Sequence, residues 1–234
     1  MFKYVMEFSK TGTICYTSHL DIMRMFKRAF KKAGIKLTYS QGFNPHPKMG
    51  FAQPLSLGYE GLREYMEFET VEEYAPKFLY KNMSALMPEG ILIKSCTYLN
   101  GLKKTLAAET LAADYSIDIP LKKSLFMDSE EMKRRYMSQE FITALKKQKK
   151  KKDLVQVDIK PMIRDISFSV ADKEYDGEIC GVLNISTVLD SGSVSNLSPE
   201  LVITSVLHFF EIDTDRSEID VTRKCILFSD KVNI

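Results

Sequence analysis

No apolar run in the 234-residue chain is long enough to span a bilayer, and its opening, Met1-Phe2-Lys3-Tyr4-Val5-Met6-Glu7, lacks the form of a signal peptide. The sequence therefore predicts a cytoplasmic protein with no membrane partner. It also lacks a compact cysteine set. Cys15, Cys96, Cys180 and Cys225 lie 81, 84 and 45 positions apart, which fits neither a zinc ribbon nor a cluster-binding CxxxCxxC. Each cysteine falls in a strand-like setting where a small buried hydrophobe is the ordinary explanation. No metal site and no cofactor are expected. A nucleotide-binding glycine loop, a nucleophile elbow, a zincin helix and a carboxylate-rich metal loop are all missing. Net charge is nearly missing too: 33 Lys+Arg against 31 Asp+Glu leaves +2, so no global field recruits a polyanion.

A core is affordable, with 44% hydrophobic residues and 27% charged. Phe2, Tyr4, Met6 and Phe8 alternate with Lys3, Val5, Glu7 and Ser9, which predicts a half-buried strand. Ser18 with Asp21 three positions on predicts a helix start, and Gly34 its end. Strand-like runs at 50–57 and 63–71, a helix over 73–87 with Pro76 in its first turn, and a strand over 91–96 complete a β-α-β-β-α-β order. After a linker candidate at 100–111 the order recurs. A strand near 113–119 and a helix from 128 to 146 lead into strands at 154–160, 163–170 and 179–188. A helix started by Ser198-Pro199 and a strand over 217–228 close the order. The expected fold is α+β, two tandem ferredoxin-like halves with antiparallel sheets, the first over 1–99 and the second over 100–234.

Charge is uneven within that frame. Residues 1–50 hold nine Lys+Arg and only Glu7 and Asp21. The same segment contains Tyr39-Ser40-Gln41-Gly42-Phe43-Asn44-Pro45-His46-Pro47-Lys48. Its two prolines fix their own φ and push Asn44 and His46 toward extended backbone. His46 is thereby held on a stiff strut between an amide and an ammonium, although Pro-His-Pro equally suits a rigid crossover with an idle histidine. His19 falls at the N-terminus of the first helix, which disfavours imidazolium, and it also suits plain packing against Met23 and Phe26. Arg24, Arg28 and Lys31 follow one ridge of that helix, either a phosphate stripe or a solvated face. The run Lys146–Lys152 reads as a flexible basic connection.

Ser9-Lys10-Thr11-Gly12, Ser18-His19-Leu20-Asp21 with Arg24, and the whole Tyr39–Lys48 run resemble the radical-SAM-linked protein family, a domain of unknown function found alone or fused after a radical SAM domain. Pro54-Leu55, Gly58, Glu64-Tyr65, Pro88-Glu89-Gly90, Asp158-Ile159-Lys160-Pro161 and Arg223 extend the resemblance over most of the chain. The Lys-rich run and Val194-Ser195-Asn196-Leu197 depart from it. The resemblance implies a radical SAM protein as partner and places His19 and His46 in signature segments. It also tilts the substrate toward RNA.

Lacking cluster cysteines, the chain reads as an accessory or substrate-binding module for such an enzyme, handling structured RNA (tRNA or rRNA) and not catalytic on its own. The expected binding residues are Arg24, Tyr39, Ser40, Gln41, Asn44, His46 and Lys48. The alternatives are a metal-independent ribonuclease with His19 and His46 as acid and base, or a protein-only adaptor.

Overall fold

The computed structural model describes residues 1–99, 101–123, 127–147, 154–175 and 178–234. Residues 148–152 of the basic run lie outside the described residues. The architecture is α+β, with mostly antiparallel sheet and five α-helices among the described residues. Two compact units divide the chain: Met1–Leu111 with Arg223–Ile234, and Ala112–Thr222.

In the first unit, β1 (Phe2–Lys10) pairs antiparallel with β3 (Glu60–Thr70) on one side and β4 (Ile91–Tyr98) on the other. A short β2 (Met49–Phe51) pairs antiparallel with β3. Of the strand expected over 50–57 only Gly50 and Phe51 lie in β2, and Pro54 has no N–H to offer a ladder further on. Between β1 and β2 runs α1 (His19–Lys32), whose N-cap Ser18 accepts the Asp21 N–H through Oγ at 3.2 Å. The helix gives way at Gly34, whose φ of 71° suits glycine. A second helix, α2 (Pro76–Ser84), starts on Pro76 and is shorter than expected.

Both helices press on one face of the sheet. Phe26, Phe30, Leu79 and Met83 pack there against Tyr4, Met6, Phe8 and Phe68. Fully burying side chains of this size contributes about 1.5–3 kcal/mol each. The opposite face is covered as well. Val5, Tyr65, Leu99, Leu102, Leu106 and Ile226 form a second cluster, so the alternation of β1 hides two apolar faces. The linker candidate supplies part of that cover, including the single-turn α3 (Leu106–Glu109).

In the second unit, β5 (Thr110–Leu121) pairs antiparallel with β9 (Glu178–Asp190), which pairs in turn with β8 (Ile163–Tyr175). The helix expected over 128–146 ends early, as α4 (Ser129–Met137). Met132 and Tyr136 keep helical spacing, but the next apolar pair, Phe141-Ile142, is adjacent and out of phase. The chain turns there into a separate hairpin of β6 (Thr143–Lys147) and β7 (Leu154–Asp158). The remaining helix, α5 (Pro199–Phe209), is capped by Ser198 as its sequence predicts. The last strand, β10 (Asp220–Phe228), begins in the second unit and ends in the first.

Candidate functional site

The Tyr39–Lys48 run is a closed loop. Tyr39 bridges Pro47, the Ser40 N–H donates to the His46 carbonyl at 2.8 Å, and the His46 N–H donates to Ser40 Oγ at 3.0 Å. Just below, the Lys48 N–H donates to the Thr38 carbonyl at 2.7 Å, and the Thr38 N–H donates to the Glu69 carbonyl at 2.8 Å. These bonds tie the loop to β3. Beyond the clamp every residue from Gln41 to His46 is exposed, and Phe43 is wholly so. Gly42, with φ of 134°, makes the tip turn that other residues resist.

His19 stands elsewhere. Its ring meets Phe51 edge-on at 5.2 Å, and it lines a crevice of about 20 Å³ with Lys10, Gln53 and Glu64. That is room for about one water, not a substrate. Behind it lies a buried charge network. Arg223 Nε donates to Glu64 at 2.8 Å and Nη2 to its other oxygen at 2.5 Å, with both side chains almost wholly buried. Nη2 also donates to the Gln53 carbonyl at 3.0 Å. Lys10 Nζ donates to the carbonyls of Cys15 and Thr17 at 3.0 and 3.1 Å, pinning the 3-10 turn Gly12–Tyr16 that delivers Ser18 and His19 to the helix start. Burial pushes the Lys10 ammonium down, although Glu64 holds it up.

Burial first, and the Lys10 charge second, push the His19 imidazole below its ordinary 6.5. Between the folded and unfolded values the unfolded chain holds more protons at this site. His19 thus adds stability that is complete above pH 6.5 and is lost as pH falls through its folded pKa. The expected result is a urea midpoint that drops less on acidification from pH 7.5 to 5 in His19→Gln than in wild type. Identical drops would show that His19 is not held neutral.

Lys48 belongs to a third neighbourhood. Its Nζ sits 3.0 Å from Glu69, which also faces Lys3 at 3.5 Å, and all three line a cavity of about 370 Å³ with Glu67, Phe51 and Leu99. Arg24 is paired with Asp21 at 2.8 Å on the exposed side of α1. It lines a groove of about 640 Å³ with Arg28 and Lys32, closed on the other side by Ala85–Pro88.

The structure thus brings Ser40 and His46 together and sets Tyr39 beside Pro47, with Gln41 and Asn44 exposed near the tip. It places Lys48, His19 and Arg24 in three different concavities, and Phe51 lines both the Lys48 and the His19 ones. Lys10, Glu64, Glu67 and Arg223 are absent from the sequence-derived site. Two of them carry a signal of phase: Lys10 continues the inward Tyr4-Met6-Phe8 series, and Glu64 the Met66-Phe68 series. Cys15 and Cys96 are buried and in no disulfide, and burial pushes the Cys96 thiol up to about 12. Among the described residues, no group of three or more His, Cys, Asp and Glu is placed to hold a metal ion.

Residues 3–199 match the family model described as "Uncharacterized protein conserved in bacteria (DUF2344)". The chain belongs to this family. All the groupings above except the Arg223 end of the charge network lie within the span that matches DUF2344. No curated protein matches the chain. The crystal structure of an unknown protein from Galdieria sulphuraria is similar over 96% of this chain and 99% of that one. At 12% identity and a TM-score of 0.27 the likeness carries no argument.

Proposed function

We propose that the protein is a non-catalytic, RNA-binding accessory module for a radical SAM enzyme, acting in the cytoplasm, and that it grips structured RNA with the Tyr39–Lys48 loop and the basic face of α1. The observation that carries this reading is Phe43, an apolar ring held wholly in solvent at the tip of a loop closed by hydrogen bonds. Unstacked bases of RNA loops stack on such rings. A stiff loop loses little freedom on binding. Exposed Gln41 and Asn44 beside the ring offer donors and acceptors to base edges, and Arg28, Lys31 and Lys32 on α1 supply phosphate attraction. The radical SAM partner rests on the family resemblance of the signature segments alone. We further read each unit as ferredoxin-like: β1, β3, β4 and β2 pair in the order β4-β1-β3-β2, and β5, β9 and β8 in the order β5-β9-β8.

Filter binding of a tRNA and an rRNA hairpin across a salt series tests the RNA reading. Phe43→Ala is expected to weaken binding by about 5- to 150-fold, the worth of one stacked base, and to leave the salt slope unchanged. The triple change Arg28→Ala, Lys31→Ala and Lys32→Ala is expected to flatten the slope by about 2 as it removes phosphate contacts. Equal affinity and slope in all variants would overturn the reading. RNA cleavage that vanishes with His19→Ala or His46→Ala would replace it by the ribonuclease. Loss of the radical SAM partner alone would replace it by the adaptor.

A further inference from the structure

The groove of about 640 Å³ between α1 and the turn after α2 has two unlike walls. Arg24, Arg28 and Lys32 recur at every fourth residue of α1, about 6 Å apart along its axis, and all three line one wall. Asp21 is the one acidic residue in the lining, so three cations less one carboxylate leave two positive charges in excess. Of the three cations only Arg24 is ion-paired among the described residues, with that same Asp21. Arg28 and Lys32 are exposed. The other wall, residues 85–88, has no donor for an anion. The N–H groups of Ala85, Leu86 and Met87 donate back to the carbonyls of Lys81, Met83 and Ser84 at 3.3, 3.0 and 3.4 Å, and Pro88 has none. This wall is also the C-terminal end of α2, which carries partial negative charge.

Met25 of α1, with Leu86 and Met87, makes the groove apolar between its cations and its far edge. All three are only partly buried against the core, so part of each side chain remains open to the groove. The lining contains no aromatic ring among the described residues. A nucleic acid strand suits this groove poorly. Its phosphates would meet donors on one wall and the negative end of a helix on the other, and its bases would find no ring to stack on. An acidic amphipathic helix suits both walls. Carboxylates at every fourth position keep step with the three cations, and an apolar stripe beside them covers Met25, Leu86 and Met87, whose flexible thioethers adapt to what they touch. Arg24 keeps donors beyond the one that meets Asp21. No helix among the described residues has acids at that spacing. Asp21 stands alone in α1, Glu109 in α3 and Glu200 in α5, α2 has none, and Glu130 and Glu131 of α4 are adjacent. A second copy of the chain therefore does not supply the occupant.

We propose that this groove docks an acidic amphipathic helix of another protein, its carboxylates on Arg24, Arg28 and Lys32 and its apolar stripe on Met25, Leu86 and Met87. The docking does not depend on the RNA reading. Arg28 and Lys32 serve both, so a docked helix and RNA phosphates exclude each other on α1.

Fluorescence anisotropy of the full chain with a designed helical peptide of about 15 residues tests the docking. The probe carries glutamate at every fourth position along one flank of a leucine stripe. It is expected to bind about tenfold or more tighter than a peptide of the same residues in scrambled order, since only the ordered one presents three ion pairs and the stripe together. The triple change Arg24→Glu, Arg28→Glu and Lys32→Glu is expected to weaken it about tenfold or more, and to bind tightly a second peptide in which lysine replaces glutamate. Met87→Gln keeps the side chain's length but sets an amide on the apolar wall, and is expected to weaken the first peptide about threefold or more. The charge swap uses exposed positions alone and decides the case even where Met87→Gln fails to fold. A lysine peptide that binds the triple variant no better than wild type, or a scrambled peptide that binds as well as the ordered one, would overturn the proposal. Oligouridylate that displaces the peptide and itself loses affinity in a folded Met87→Gln would overturn it too, by assigning the groove to RNA. RNA binding that fails while the peptide still docks removes the RNA reading alone. Peptide docking that fails while RNA binding and its Phe43 dependence persist removes the docking alone.

Discussion

Arg223→Ala is expected to destabilise the first unit by about 3–5 kcal/mol, the cost of leaving one partner of a buried ion pair alone. Arg223 is 2% exposed and Glu64 4%, so water does not take over the carboxylate's hydrogen bonds when the guanidinium is gone. The Gln53 and Pro54 carbonyls lose a donor in the same step. Arg223→Lys is no substitute, because a single ammonium does not reproduce the two-pronged contact with Glu64. Removing the pair altogether is different. The double change Arg223→Met with Glu64→Leu is expected to recover most of the loss, since well-packed apolar residues often replace a buried pair at little cost. Urea unfolding of wild type, both single variants and the double variant checks this. A single variant within 1 kcal/mol of wild type would mean that Lys10, whose charge already acts on Glu64, suffices for the carboxylate.

Tyr136→Ala is expected to cost about 3–5 kcal/mol in the second unit, as large aromatic truncations in cores do. Tyr136 is completely buried and centres a ring cluster with Phe168 at 5.6 Å, Phe209 at 5.5 Å and Phe210 at 6.3 Å. Its hydroxyl donates to Ser205 Oγ at 3.1 Å, so one side chain on α4 ties β8 and α5 together. Tyr136→Phe keeps the ring and loses only that bond, and is expected to cost about 1 kcal/mol. The ratio of the two losses is the measurement. Equal losses would mean that the hydroxyl, not the packing, holds the cluster.

How far the sequence predicts this depends on the range of the interactions. Local signals read well. Ser18 and Ser198 cap helices where their side chains predict, and the two prolines of Pro45-His46-Pro47 mark a stiff, exposed loop. Signals that need a neighbour read badly. Val5 looks solvent-facing in a strict alternation, but Leu99, Leu102, Leu106 and Ile226 cover that face. Nothing local tells α4 to end at Met137 except the loss of helical spacing after Tyr136. Arg223 and Glu64 are 159 positions apart, and no pattern in either segment names the other. The one local trace is charge in phase with a core face, as at Lys10 and Glu64.

The first unit leaves the chain at Leu111 and resumes at Arg223. During synthesis at about 5–20 residues per second, roughly 6–22 s pass between these two points. Throughout that interval Glu64 has no guanidinium, and the cluster around Val5 and Leu106 lacks Ile226. The Met1–Leu111 segment, nearly half of the 234 residues, thus lacks these partners until Arg223–Ile234 emerges. A ribosome that stalls before residue 223 releases a product with an unmatched carboxylate and an open apolar face, a form open to proteases and chaperones. Emergence of Arg223–Ile234 is therefore the step that completes the first unit.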